Sequence, residues 1–239
     1  MRLCLLALIL AVSCAATGSA SPATTRDAAY CAGRGDVSFR AADGTRLLGH
    51  RFGRGTTAVV LAHQSQGSLC EWVSYGRRLA AKGYLVFAFD FRSHGRSQYV
   101  FPPRSARLGG DVAAAVKYLR ARGARRIFLV GASMGGVAVV VGGASIRPPV
   151  GGVVSLSAPT TFGSLDAAAA APRLRVPTLF LAAADDAGGQ FATDARALHA
   201  ATAASDKSLE ILQGSSHGVS LMRTGGRAWE LVETFLASH

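Results

Sequence analysis

Six short apolar runs recur between Ala58 and Leu212, and most of the gaps between them carry helical patterning. The runs are Ala58–Ala62, Leu85–Phe89, Ile127–Val130, Gly152–Leu156, Thr178–Ala182 and Leu209–Leu212. They are rich in β-branched, aromatic and leucine residues and do not alternate with polar ones. A strand with one face in water alternates, whereas a strand apolar throughout has both faces covered. Parallel strands meet that condition, because their crossover helices land on both faces of the sheet. The helical stretches are Glu71–Ala81, Gly109–Arg122, Met134–Ala144, Asp194–Ala203 and Arg227–Ala237. Ahead of them, Val37–Arg40 and Leu47–Phe52 flank the turn Asp43-Gly44 and read as a hairpin. This pattern predicts an α/β domain over residues 37–239, with a mostly parallel central sheet flanked by helices on both faces. Hydrophobic residues make up 49% of the 239 and charged residues 17%, which excludes a disordered chain and allows a large core.

The N-terminus differs from the rest. Met1-Arg2 precedes an apolar run, Leu3–Val12, and then small and polar residues to Ala20. That is the composition of an export leader over residues 1–20, and the run is too short to span a bilayer, which takes about twenty residues. Residues 21–36 then form an N-terminal extension. The stretch Ala11-Val12-Ser13-Cys14 also resembles a lipoprotein processing site, which would place a lipid anchor on Cys14. An exported chain meets an oxidising compartment, where Cys31 and Cys70 either pair or remain free thiols.

The net charge is +12, and all but three of the 26 basic residues are arginine. A basic surface is drawn to anionic partners such as a cell-surface polymer. The clusters Arg77-Arg78 and Arg120–Arg126 have few aromatic neighbours, so nucleic acid is not an expected partner. Cysteine and histidine show no metal-ligand spacing, and no cofactor fingerprint is present.

Two segments fit G-x-S-x-G: Gly131–Gly135 around Ser133, and Gly214–Gly218 around Ser216. Only Ser133 lies between an apolar run and a helical stretch. A tight strand-to-helix turn there exposes the serine hydroxyl, and the glycines allow strand and helix to close in. Every Asp precedes Ser216, which leaves it without a plausible triad.

Other segments occur in a matching order. His63-Gln64 follows the third strand, Asp90-Phe91-Arg92-Ser93-His94-Gly95-Arg96-Ser97 the fourth, Asp185-Asp186 the seventh and His217 the eighth. With the Ser133 turn, these make the chain from about Val37 onward resemble proteins of the α/β-hydrolase fold, of the capless serine esterase type. The resemblance implies Ser133 as nucleophile, His217 as base and an acid after Thr178–Ala182. The family's spacing puts that acid at Asp186, with Asp185 as the alternative; Asp166 falls where some members carry theirs. It also implies an oxyanion hole formed by the backbone N–H groups of Gln64 and Met134. Gln64 replaces the family's Gly after His63, Ser93 replaces a Gly in D-x-R-G-x-G-x-S, and Asp90 is expected to hold its turn through backbone N–H groups. Only ~20 residues, Ala158–Pro177, fill the position where many members insert a helical lid. An open site suits short acyl esters or esters displayed on larger molecules. The reading is therefore an exported serine carboxylesterase without cofactor or metal; the alternative is a non-catalytic protein on the same scaffold that engages an anionic surface.

Overall fold

The computed structural model describes Cys31, Gly33 and residues 35–102, 105–222 and 226–239. The leader and Cys14 lie outside these residues, as does most of the N-terminal extension. In chain order the elements are β1 (Asp36–Arg40), β2 (Arg46–Phe52), β3 (Thr57–Ala62), α1 (Val73–Ala81), β4 (Leu85–Asp90), α2 (Leu108–Arg120), β5 (Arg126–Ala132) and α3 (Met134–Ser145). There follow β6 (Gly152–Leu156), β7 (Thr161–Phe162), β8 (Leu165–Asp166), α4 (Ala167–Ala170), β9 (Thr178–Ala183), α5 (Gln190–Ala201), β10 (Lys207–Leu212) and α6 (Arg227–Ser238).

Eight strands form one sheet in the order β1-β2-β4-β3-β5-β6-β9-β10. The β1–β2 and β2–β4 pairs are antiparallel and every other pair is parallel. Ala62, Asp90, Ala132, Leu156 and Ala183 therefore all end on one edge of the sheet.

The unbroken apolar runs have a simple origin. In β3, Ala58, Val60 and Ala62 belong to the core cluster that includes residues of α2, α3 and α5, while Val59 and Leu61 belong to the one that includes residues of α1 and α6. In β4, Phe87 and Phe89 join the first cluster and Val86 and Ala88 the second. Both pleat faces need apolar side chains because both carry helices.

Two predicted helices shift. Glu71–Ala81 divides into a 3-10 turn, Leu69–Trp72, and α1. α5 begins at Gln190, before the expected Asp194, because left-handed Gly189 ends the preceding turn there. The segment Ala158–Pro177 holds a two-stranded hairpin, α4 and a 3-10 turn in place of a lid. Cys31 and Cys70 form a disulfide that ties the chain ahead of β1 to the 3-10 turn after β3.

Arg92, 3% exposed, anchors the β4 turn by donating to Asp111 Oδ1 and Oδ2 from Nε at 3.0 Å and to Asp43 Oδ2 from Nη1 at 2.8 Å. Burial opposes its charge, but the two carboxylates outweigh that cost and hold the guanidinium protonated. The same hydrogen bonds keep Asp43 well below the usual carboxylate range.

Candidate active site

The central feature is the turn from β5 into α3. Ser133 has φ 50° and ψ −116°, a region costly for any residue with a Cβ. Its N–H donates to Leu156 O at 2.8 Å and its carbonyl accepts from Val137 N–H at 3.0 Å, so the turn is held from both sides. The glycines have specific reasons. A Cβ on Gly131 would strike the Gly135 carbonyl, and one on Gly135 would strike the carbonyls of Ala62 and His63. On Gly136 it would lie 2.8 Å from Ala158 Cβ. The start of α3 therefore rests directly against the end of β3, and Ser133 itself is 8% exposed.

That close approach brings Met134 next to His63-Gln64. Met134 is the first residue of α3, where an N–H has no helical partner. Met134 N–H finds no backbone acceptor among the described residues, whereas Gln64 N–H is directed at the Glu71 carboxylate. Two backbone donors thus sit on adjoining segments beside Ser133, that of Gln64 shared with Glu71.

The Gln in the glycine place is accommodated because the left-handed conformation lies two residues later, at Gln66 (φ 62°). Gln64 adds a link absent from the sequence reading: Val219 N–H donates to its Oε1 at 3.0 Å, and a Cβ on Gly218 would strike that oxygen. The His63-Gln64 segment is thereby joined to the His217 segment. Glu71 lies alongside, its carboxylate over Gly67 and interacting with Gln64, and burial raises its pKa.

His63 is fully buried and fixes this segment from behind. Its Nδ1–H donates to Gln64 O at 2.8 Å and its Nε2 accepts from Phe91 N–H at 3.1 Å. Burial lowers its pKa from 6.5 to about 3, so it is a neutral strut.

Asp186 and His217 meet. His217 Nδ1 lies 2.8 Å from Asp186 Oδ2, with Asp186 buried and the His217 side chain 34% exposed. Asp185 points outward and is exposed. Asp166 caps α4 by accepting from Ala169 N–H at 2.8 Å. Asp186 is held in a turn whose next three residues, Ala187, Gly188 and Gly189, are all left-handed. Phe191, which no motif marks, packs its ring 4.3 Å from the His217 ring. No hydrogen bond joins Ser133 Oγ to His217. Ser216 sits in the exposed loop ahead of His217, away from any strand-to-helix turn.

The turn after β4 behaves as the resemblance implies. Asp90 accepts from Leu69 N–H at 2.8 Å and from Arg96 N–H at 2.9 Å. Ser93, in the glycine place, takes the left-handed φ of 62° that a glycine would take. Its hydroxyl engages Val100 N–H at 2.9 Å.

The sequence profile of the family described as serine aminopeptidase, S33 matches residues 54–168. Among solved structures the chain is similar to the enol-lactonase from Burkholderia xenovorans LB400, with a TM-score of 0.71 and 17% identity over 84% of this chain and 100% of that one. It is similar to the esterase Pf2001 from Pyrococcus furiosus, with a TM-score of 0.70 and 19% identity over 85% of this chain and 89% of that one. The esterase RhEst1 from Rhodococcus sp. ECU1013 gives a TM-score of 0.69 and 20% identity, covering 85% and 98%. No curated protein sequence matches the chain.

Proposed function

We propose that this chain is a serine hydrolase of the α/β-hydrolase fold that cleaves carboxylic esters. The observation that carries this reading is the Asp186–His217 pair, 2.8 Å apart, on the same sheet edge as the strained Ser133 turn. Asp186 accepts the Nδ1–H of His217, which leaves Nε2 with the lone pair that takes the Ser133 proton. The Ser133 oxygen adds to the ester carbonyl, and the oxyanion accepts hydrogen bonds from Gln64 N–H and Met134 N–H. His217 then gives its proton to the departing alcohol, leaving an acyl group on Ser133. Water, deprotonated by the same histidine, releases the acid. None of these steps calls on a metal or cofactor. The segment between β6 and β9 holds only a hairpin and short helical turns, which suits short acyl groups or esters carried on larger molecules.

Purified protein should hydrolyse p-nitrophenyl acetate and butyrate. Ser133→Ala should lose at least about 10³ in kcat and Asp186→Asn about 10²–10⁴. Equal rates for the wild type and Ser133→Ala would refute the proposal, and salt-sensitive binding to an anionic polymer would then support the binding-protein alternative. Residues 1–20 are read as an export leader, with a lipid on Cys14 as the alternative form. Intact mass of the chain recovered from its native host distinguishes the two.

A further inference from the structure

Two large apolar side chains stand out on the surface of the described residues: Tyr99, 68% exposed, and Phe101, 80% exposed. Isolated exposed apolar residues are ordinary, but these two are neighbours on one turn. The turn follows β4, whose C-terminal end lies on the same sheet edge as Ser133.

The turn is anchored ahead of Tyr99 and between the two exposed rings. Gln98 N–H donates to Arg46 O at 2.8 Å, and Arg46 N–H donates to Gln98 Oε1 at 2.9 Å. Val100 N–H donates to Ser93 Oγ at 2.9 Å. Farther along, Ser164 N–H donates to Ser105 Oγ at 2.9 Å, tying the segment to the β7–β8 hairpin. Tyr99 thus projects from a backbone braced at Gln98 and Val100, with Phe101 next to the Val100 anchor. Beside them opens a groove of about 790 Å³ in which Arg46 and Arg96 stand next to Tyr99. Arg46 is exposed, and Arg96 also contacts Asp36 Oδ2 at 3.3 Å. The chain as a whole carries +12.

We propose that the Tyr99–Phe101 turn is a docking tip for an anionic phospholipid surface. The two rings enter the interface, Arg46 and Arg96 meet the headgroup phosphates, and the Ser133 edge of the sheet comes to face the lipid. Aromatic rings favour the headgroup level of a bilayer, and arginines near it are drawn to anionic lipid. Adsorption by net charge alone would use any arginine-rich face. The apolar pair makes this edge specific. Docking does not depend on the Ser133 chemistry.

The test uses the purified protein with vesicles of phosphatidylcholine alone and of phosphatidylcholine mixed with phosphatidylglycerol. The protein should co-sediment with the mixed vesicles and be left in solution by the neutral ones. Tyr99→Ser/Phe101→Ser should weaken partitioning at least tenfold, Arg46→Glu should weaken it as well, and Ser133→Ala should bind like the wild type. Phe101→Trp should add an indole emission, over that of the wild type, that shifts to the blue on mixed vesicles and is quenched by brominated lipid. Equal partitioning of the double serine variant overturns the proposal, as does an added emission that stays unmoved when the Phe101→Trp protein is vesicle-bound. A dimer by light scattering without lipid that the double variant abolishes would assign the turn to a second copy and overturn it too.

Discussion

Acidification should destabilise this protein through one buried ring, His63. Its Nδ1–H is committed to Gln64 O at 2.8 Å, and its Nε2 lone pair receives Phe91 N–H at 3.1 Å. A proton on Nε2 would set two N–H groups against each other in a buried site. Burial accordingly brings the pKa from 6.5 to about 3. The unfolded chain takes up that proton as pH drops through about 6.5, whereas the folded chain refuses it until about 3. Stability from this residue is therefore complete above 6.5 and is lost through that window, at about 1.4 kcal/mol per pH unit. About 1.5 units separate 6.5 from pH 5, so the loss there is about 2 kcal/mol. Urea unfolding at about pH 7.5 and about pH 5 measures it, with His63→Asn as the reference. The Asn amide can still donate to Gln64 O, but Phe91 N–H is left without its acceptor, which costs about 1–3 kcal/mol at both pH values. The variant should thus start lower yet fall by about 2 kcal/mol less than the wild type between the two conditions. Other histidines cancel in that difference. Equal falls in the two proteins would refute the assignment of His63 as a neutral strut.

Replacing both Cys31 and Cys70 with Ser opens a loop of 39-residue separation, which chain entropy values at up to about 4 kcal/mol; guanidinium unfolding checks it, and a change under about 0.5 kcal/mol contradicts a stabilising role. Glu71 is held above its usual pKa by burial, and its Oε2 has no hydrogen-bond partner. The folded state keeps a proton there that the unfolded chain releases, so stability falls as pH rises through the folded value. Glu71→Gln should remove that fall, with its advantage in Tm over the wild type growing from acid to neutral pH in calorimetry. Gly135→Ala places a Cβ against the carbonyls of Ala62 and His63 and should cost about 2–3 kcal/mol or more with loss of esterase activity; an active, fully stable variant would contradict the close approach of α3 to β3.

Most of the secondary structure was legible because burial on both faces leaves a plain mark. β4 carries apolar residues at every position before Asp90, and β9 does so after Thr178. The Ser133 turn was legible for a similar reason, since contacts at Gly131, Gly135 and Gly136 leave no room for a Cβ. Shorter elements left no comparable mark. The two-residue strands β7 and β8 are too brief to show a period, and the left-handed Ala187 could not be read from a residue that usually avoids that region.

From its sequence alone, this chain was bound to a mostly parallel sheet between two helical layers, with a serine at the strand-to-helix turn. Periodicity and glycine positions are local, and local sterics decide them. The spacing of the resembled family favoured Asp186 over Asp185, and the tertiary structure adds that burial and the 2.8 Å approach to His217 belong to Asp186 alone. The tertiary structure alone turned Gln64 from an irregularity in a motif into the link between the segment after β3 and the histidine loop, across 155 residues of chain. It also showed Tyr99 and Phe101 to be outside the core, which hydrophobicity could not reveal. Contacts between distant segments depend on how the whole sheet assembles, and no short window of sequence contains both partners.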